Sequence, residues 1–147
     1  ELDAAEKEIA DYDVEHAYVF TRDGRKIHVQ GNRFTVNTEV VGTDALKGAV
    51  ITHNHPHELR APSLQDLQSI ARDGLAELRT LDRTNLYVVR FEQPMTTEEV
   101  GDIYREAKNN ALQRAMDGEI EIIDEQAAFL EEFIKLAKGV FYDRIHR

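Results

Sequence analysis

Residues 48–52, GAVIT, form a short apolar run rich in β-branched side chains, and no turn signal separates them from His53-Asn54-His55-Pro56. Such a run reads as a strand buried on both faces. Beyond a proline-bounded loop, Ser63-Leu64-Gln65-Asp66 opens a stretch with helical spacing. That spacing puts Leu64, Leu67, Ile70 and Ala71 on one face and makes Gly74 the expected C-cap. Two further strand-like runs follow, 75–81 and 85–92, joined by Asp82-Arg83-Thr84. A buried strand, an amphipathic helix and more strands require a sheet with helices packed on it. The expected fold class is therefore α/β with a mixed central sheet.

The flanking segments fit the same frame. Residues 1–12 read as a short helix with Leu2, Ala5, Ile9 and Tyr12 inward. Residues 15–20 and 25–31 read as two strands joined through Asp23-Gly24, a strong hairpin signal. Residues 33–42 are less regular, an extended piece followed by a turn. The last third reads as two helices. Residues 96–119 carry a stripe of Val100, Ile103, Tyr104, Ala107, Ala111, Leu112 and Ala115. Residues 124–139 carry Leu130, Phe133, Ile134 and Ala137 and end at Gly139. One domain spans 1–147, with a subdivision at Gln93-Pro94 into an α/β core (1–93) and a helical C-terminal extension (94–147).

Composition narrows the function. The 147 residues hold 28 acids against 18 Lys and Arg, a formal net charge of −10. Phosphate binding needs a concentrated positive field, so a nucleic-acid partner is not expected. No apolar run reaches membrane length, and no signal peptide is visible. The first residue is Glu1 and not methionine, which fits a domain excised from a larger parent. There is no cysteine, so any metal must be held by histidine and carboxylate.

His53 and His55 can supply two such ligands. Residues two apart on an extended segment point to the same side, so both imidazoles reach one ion. Asp66 follows in the first turn of the next helix. Two histidines, a carboxylate and an open fourth position form a catalytic zinc shell. A competing reading exists for Ser63 and Asp66: S-L-Q-D at a helix start is close to a capping box, in which Asp66 bonds back to Ser63. The two readings differ over where the Asp66 carboxylate points.

The combined order, H-x-H-P-x6-S-x-x-D, resembles the motif of the JAMM (MPN+, or JAB) metalloproteases. The HNHP form is similar to that of RadC-like and phage- or toxin-associated prokaryotic branches. Upstream, EHAYVFTRDGRKI and LKGAVITHNHP look like the opening of small prokaryotic JAB domains. The resemblance covers about residues 15–74, and the C-terminal helices are similar to the helical tails of phage-borne members. It implies a three-layer, cytidine-deaminase-like sandwich in which helices flank the mixed sheet. It also implies Zn2+ held by His53, His55 and Asp66, with Ser63 at the oxyanion. Glu15 takes the place of the general base, with Glu39 and Glu58 as rivals. Where the family has small residues after HNHP, this chain has His57-Glu58-Leu59-Arg60-Ala61-Pro62. His57 is expected to be an exposed loop residue, and His57, Glu58 and Arg60 crowd the approach to the site.

The activity so implied is hydrolysis of a peptide or isopeptide bond in a protein or peptide substrate, often beside the tail of a ubiquitin-like modifier. The setting implied is the cytoplasm of a prokaryote or a phage-encoded protein. The alternative is a JAMM-like interaction module without catalysis, in a phage structural or toxin-like protein. Other zinc and nuclease chemistries are excluded by absent residues. A nucleobase deaminase needs P-C-x-x-C, and no H-E-x-x-H, G-x-S-x-G or P-loop occurs. HNH nucleases space their three residues widely.

Overall fold

The computed structural model describes residues 1–56 and 60–147; His57, Glu58 and Leu59 lie outside the described residues. The helices are α1 (Leu2–Ile9), α2 (Thr43–Leu46), α3 (Leu64–Asp73), α4 (Thr97–Met116) and α5 (Glu125–Leu136). The strands are β1 (His16–Phe20), β2 (Lys26–Gln30), β3 (Val50–Asn54), β4 (Glu77–Leu81), β5 (Asn85–Phe91) and β6 (Val140–His146). They form one six-stranded sheet in the order β2-β1-β3-β4-β5-β6. The fold is α/β, as expected, and the sheet is mixed: β3 and β4 pair in parallel through the α3 crossover, and the other pairs are antiparallel.

Strand alternation sorts the core into two layers. Ala17, Val19, Ile51, Leu78, Tyr87 and Val89 share one face. They pack with Leu67 and Ile70 of α3, Val100 and Ala107 of α4, and Leu130 and Phe133 of α5. Tyr18, Leu81, Leu86 and Val88 take the opposite face with Ala5 and Ile9 of α1. At the central His53 position the register is Ala17–His53–Thr80 across β1, β3 and β4. His53 therefore projects into the layer that contains α3.

Local chemistry explains most boundaries. Gly24, at φ +92°, makes the turn between β1 and β2, and Gly74, at φ +65°, ends α3 in the left-handed region. Within 33–42 the turn is a short 3-10 helix over Thr38–Val41, capped by the Asn37 side chain. The expected C-terminal helical extension needs one correction. Residues 140–146, which carry no helical signal, form β6 and pair antiparallel along the whole of β5. As an edge strand with mostly exposed side chains, β6 has no clean apolar alternation to advertise it. Among the described residues, no helix is long and apolar enough to cross a membrane.

The α1 face of the sheet carries a buried ion-pair ladder. Glu6 of α1 pairs with Arg79 of β4, which also bonds Glu77 at 3.1 Å, and Thr52 Oγ1 donates to Glu6 at 3.2 Å. Removing one partner of such a pair strands the other charge. Arg79→Ala should cost about 3 kcal/mol, a fall in Tm of roughly 6–12 °C for a chain of this size. An unchanged Tm would show that the ladder does not anchor α1.

Candidate metal centre

Three donor atoms meet where β3 ends. His53 Nε2 and His55 Nε2 are 3.1 Å apart. Asp66 Oδ1 lies 3.5 Å from His53 Nε2, and Asp66 Oδ2 lies 3.5 Å from His55 Nε2. A tetrahedral zinc ion with bonds of about 2.0–2.1 Å spaces its ligands by about 3.4 Å. The donor set thus fits zinc in chemistry and in spacing. Among the described residues it is the one group of three or more such side chains close enough to share an ion.

Each of these side chains is fixed by its surroundings. His53 is 3% exposed between β1 and β4. The His55 backbone N–H donates to Leu81 O at 2.6 Å, and its ring Nδ1 lies 2.8 Å from the Arg60 carbonyl. A carbonyl only accepts, so Nδ1 carries a proton there, and Nε2 is the nitrogen turned towards Asp66 and the one free to meet a cation once it holds no proton. Asp66 makes the capping box and also lies against both histidines. Its Oδ2 accepts from Ser63 N–H at 2.8 Å, and Ser63 Oγ accepts from Asp66 N–H at 3.2 Å, completing the capping box. The same carboxylate faces both histidines, because a residue at the third helical position can turn its two oxygens in different directions.

Glu15, the residue before β1, is 3% exposed, and its Oε1 accepts from Arg60 Nη2 at 2.9 Å. Its backbone is held from both sides: Glu15 N–H donates to Asn32 O, and Gly31 N–H donates to Glu15 O, each at 2.7 Å. Gly31 is required there, since a Cβ would stand 2.0 Å from Thr35 O. Asn54, the middle residue of the H-x-H, points the opposite way from its neighbours and grips the chain that carries Glu15. Its Oδ1 accepts from His16 N–H at 2.6 Å, and its Nδ2 donates to Val14 O at 3.0 Å.

Glu15, Ser63, His53, His55 and Asp66 line a single cleft of ≈ 660 Å3, within the range of ligand sites. Glu39 reaches the same cleft, but at its exposed rim, paired with Arg72 at 3.1 Å. Glu58 and His57 lie outside the described residues. Sequence reasoning missed Asn54, the dual role of Arg60, and Gln126, which enters the cleft from α5. Alternation along β3 could have flagged Asn54; nothing local marks the other two.

Electrostatics couples the groups. Burial alone would raise Asp66, but the charge of His53 and hydrogen bonds from both histidines outweigh it and hold its carboxyl well below the usual range. Burial alone would lower His53, but Asp66 and Glu15 outweigh it and shift His53 up from its ordinary 6.5. Burial pushes Glu15 up, opposed chiefly by His53 and His55. In the metal-free fold the His53 contribution to stability is complete below about 6.5 and fades as pH rises through the shifted value. The Asp66 contribution is present above about 3.8 and is lost as pH falls below it. A metal needs neutral imidazole, so zinc must displace the His53 proton at mildly acid pH. The His53-linked proton release on zinc uptake should therefore fall as pH rises through the shifted His53 value. Calorimetry in buffers of different ionisation enthalpy reads this directly, and release that does not vary with pH would contradict it.

Comparison with protein-family models, with curated proteins and with solved structures finds no match to this chain. What the site can do is read from its own residues.

Proposed function

We propose that this chain is a zinc-dependent metallopeptidase or isopeptidase of the JAMM type. The observation that carries the reading is the convergence of a zinc-spaced donor triad and the buried carboxylate of Glu15 in one open cleft. Zinc bound by His53, His55 and Asp66 supplies a Lewis acid for the scissile carbonyl and brings the pKa of a bound water to roughly 7. Glu15 accepts the proton of the attacking water and returns it to the leaving amine, a role worth about 10²–10⁴ in rate. Its raised pKa suits a group that must both take and give a proton near neutrality. The Arg60 guanidinium keeps the carboxylate oriented while its second oxygen, which accepts no hydrogen bond among the described residues, remains available. Glu39 is a weaker candidate for the base, since it sits at the exposed rim against Arg72.

Among the described residues Ser63 Oγ only accepts, from Asp66 N–H, so its own hydrogen is available to a developing oxyanion. The substrate is a protein or peptide, with ubiquitin-like tails included by the resemblance, and the net charge of −10 disfavours nucleic acid. The test is zinc-loaded protein incubated with a pool of proteome-derived peptides, with new termini read by mass spectrometry. Cleavage that disappears with a chelator and with Glu15→Gln is the expected result. Stoichiometric zinc with no cleavage of peptides or isopeptides would favour the non-catalytic interaction module.

A further inference from the structure

Helix α5 enters the cleft through its first turn. Gln126 lines the same cavity as Glu15 and the three metal-ligating side chains. Its Oε1 is shielded from solvent and accepts no hydrogen bond among the described residues. The helix end does not account for it, because the N-cap is already made by Asp124, which accepts from Ala127 N–H at 3.2 Å. The side chain that carries this unpaired acceptor lines the cleft, where a bound molecule can supply the missing donor.

The chemistry of the carboxamide says which donor. It offers an acceptor oxygen and two N–H donors. A carboxylate or phosphate brings only acceptors and would leave Oε1 unpaired, whereas an ammonium brings only donors and would leave the N–H groups unused. A peptide group brings one N–H and one C=O, and it answers the carboxamide whichever way the carboxamide is turned.

Resting on the metallopeptidase reading, we infer that Gln126 is a substrate-binding residue that pairs with a peptide group flanking the scissile amide. The enzyme then selects amides set within a polypeptide over isolated amides. Through Gln126, the C-terminal helical layer takes part in substrate choice as well as in covering the sheet.

The test uses the full chain loaded with zinc and two probes, N-acetylglycine N-methylamide with two peptide groups and N-methylacetamide with one. The side-chain NH2 signal of Gln126 is assigned in 15N spectra by its loss in Gln126→Leu. The two-group probe should move that signal. Gln126→Leu should weaken its binding about tenfold, the worth of one well-made hydrogen bond, and leave the one-group probe unaffected. Zinc content equal to wild type in Gln126→Leu separates this effect from misfolding. If the two-group probe leaves the NH2 signal in place, or binds Gln126→Leu as it binds wild type, the role of Gln126 is refuted while the metallopeptidase reading stands. If wild type takes up no zinc, that reading fails on its own and the inference goes with it.

Discussion

Asp66→Asn is expected to abolish tight zinc binding while leaving α3 folded. Asparagine keeps an oxygen that can accept from Ser63 N–H, so the reciprocal cap survives, but the charge that draws a cation between the two imidazoles is gone. His53→Ala removes a ligand outright and should have the same effect on the metal. A ligand loss should exceed the about 10–100-fold seen when only an outer hydrogen-bond partner of a metal ligand is lost. Metal content by mass spectrometry after gel filtration measures both variants. Asp66→Ala makes the comparison sharper, because it should lose zinc and also about 1 kcal/mol of helix capping. Should Asp66→Asn hold zinc like wild type while Asp66→Ala loses only stability, the cap would be the whole role of Asp66.

Glu15→Gln should leave zinc content and fold intact and reduce hydrolysis by about 10²–10⁴. The amide can still accept from Arg60 Nη2 in place of Glu15 Oε1, so the side chain keeps its anchor and no buried charge is stranded. What it loses is the capacity to hold a proton. The effect should fall on kcat, since the group acts in the transition state. Hydrolysis at the wild-type rate would remove Glu15 from the mechanism and direct attention to Glu39. The inactive, zinc-loaded variant is also the reagent for trapping uncleaved substrates.

The cluster of His53, His55 and Asp66, which could hold a metal ion, was legible because its geometry is local. His53 and His55 follow from strand alternation, and Asp66 from its place in the first helical turn, so eleven-residue spacing between His55 and Asp66 carried the site. The α/β class and the β1–β2 hairpin were legible for the same reason: period and turn chemistry are written in neighbouring residues. β6 was not, because an exposed edge strand is specified by its pairing to β5 more than by its own apolar pattern. The segment after His55-Pro56 could not be read at all. Among its described residues, Arg60 acts through a backbone carbonyl on His55 and a guanidinium on Glu15, forty-five positions upstream.

By itself the sequence determined that histidine and carboxylate are the available metal ligands, that two of them leave a buried strand together, and that a capped helix brings the third. Each of these depends on contacts within a few residues, which local periodicity encodes. Tertiary structure alone decided that Glu15 stands beside the donors and Glu39 at the rim, that Asn54 and Arg60 hold Glu15 there, and that Gln126 reaches in from α5. Those placements depend on strand order and on helices packing across the sheet. Contacts between residues so far apart in the chain leave no periodic trace in it.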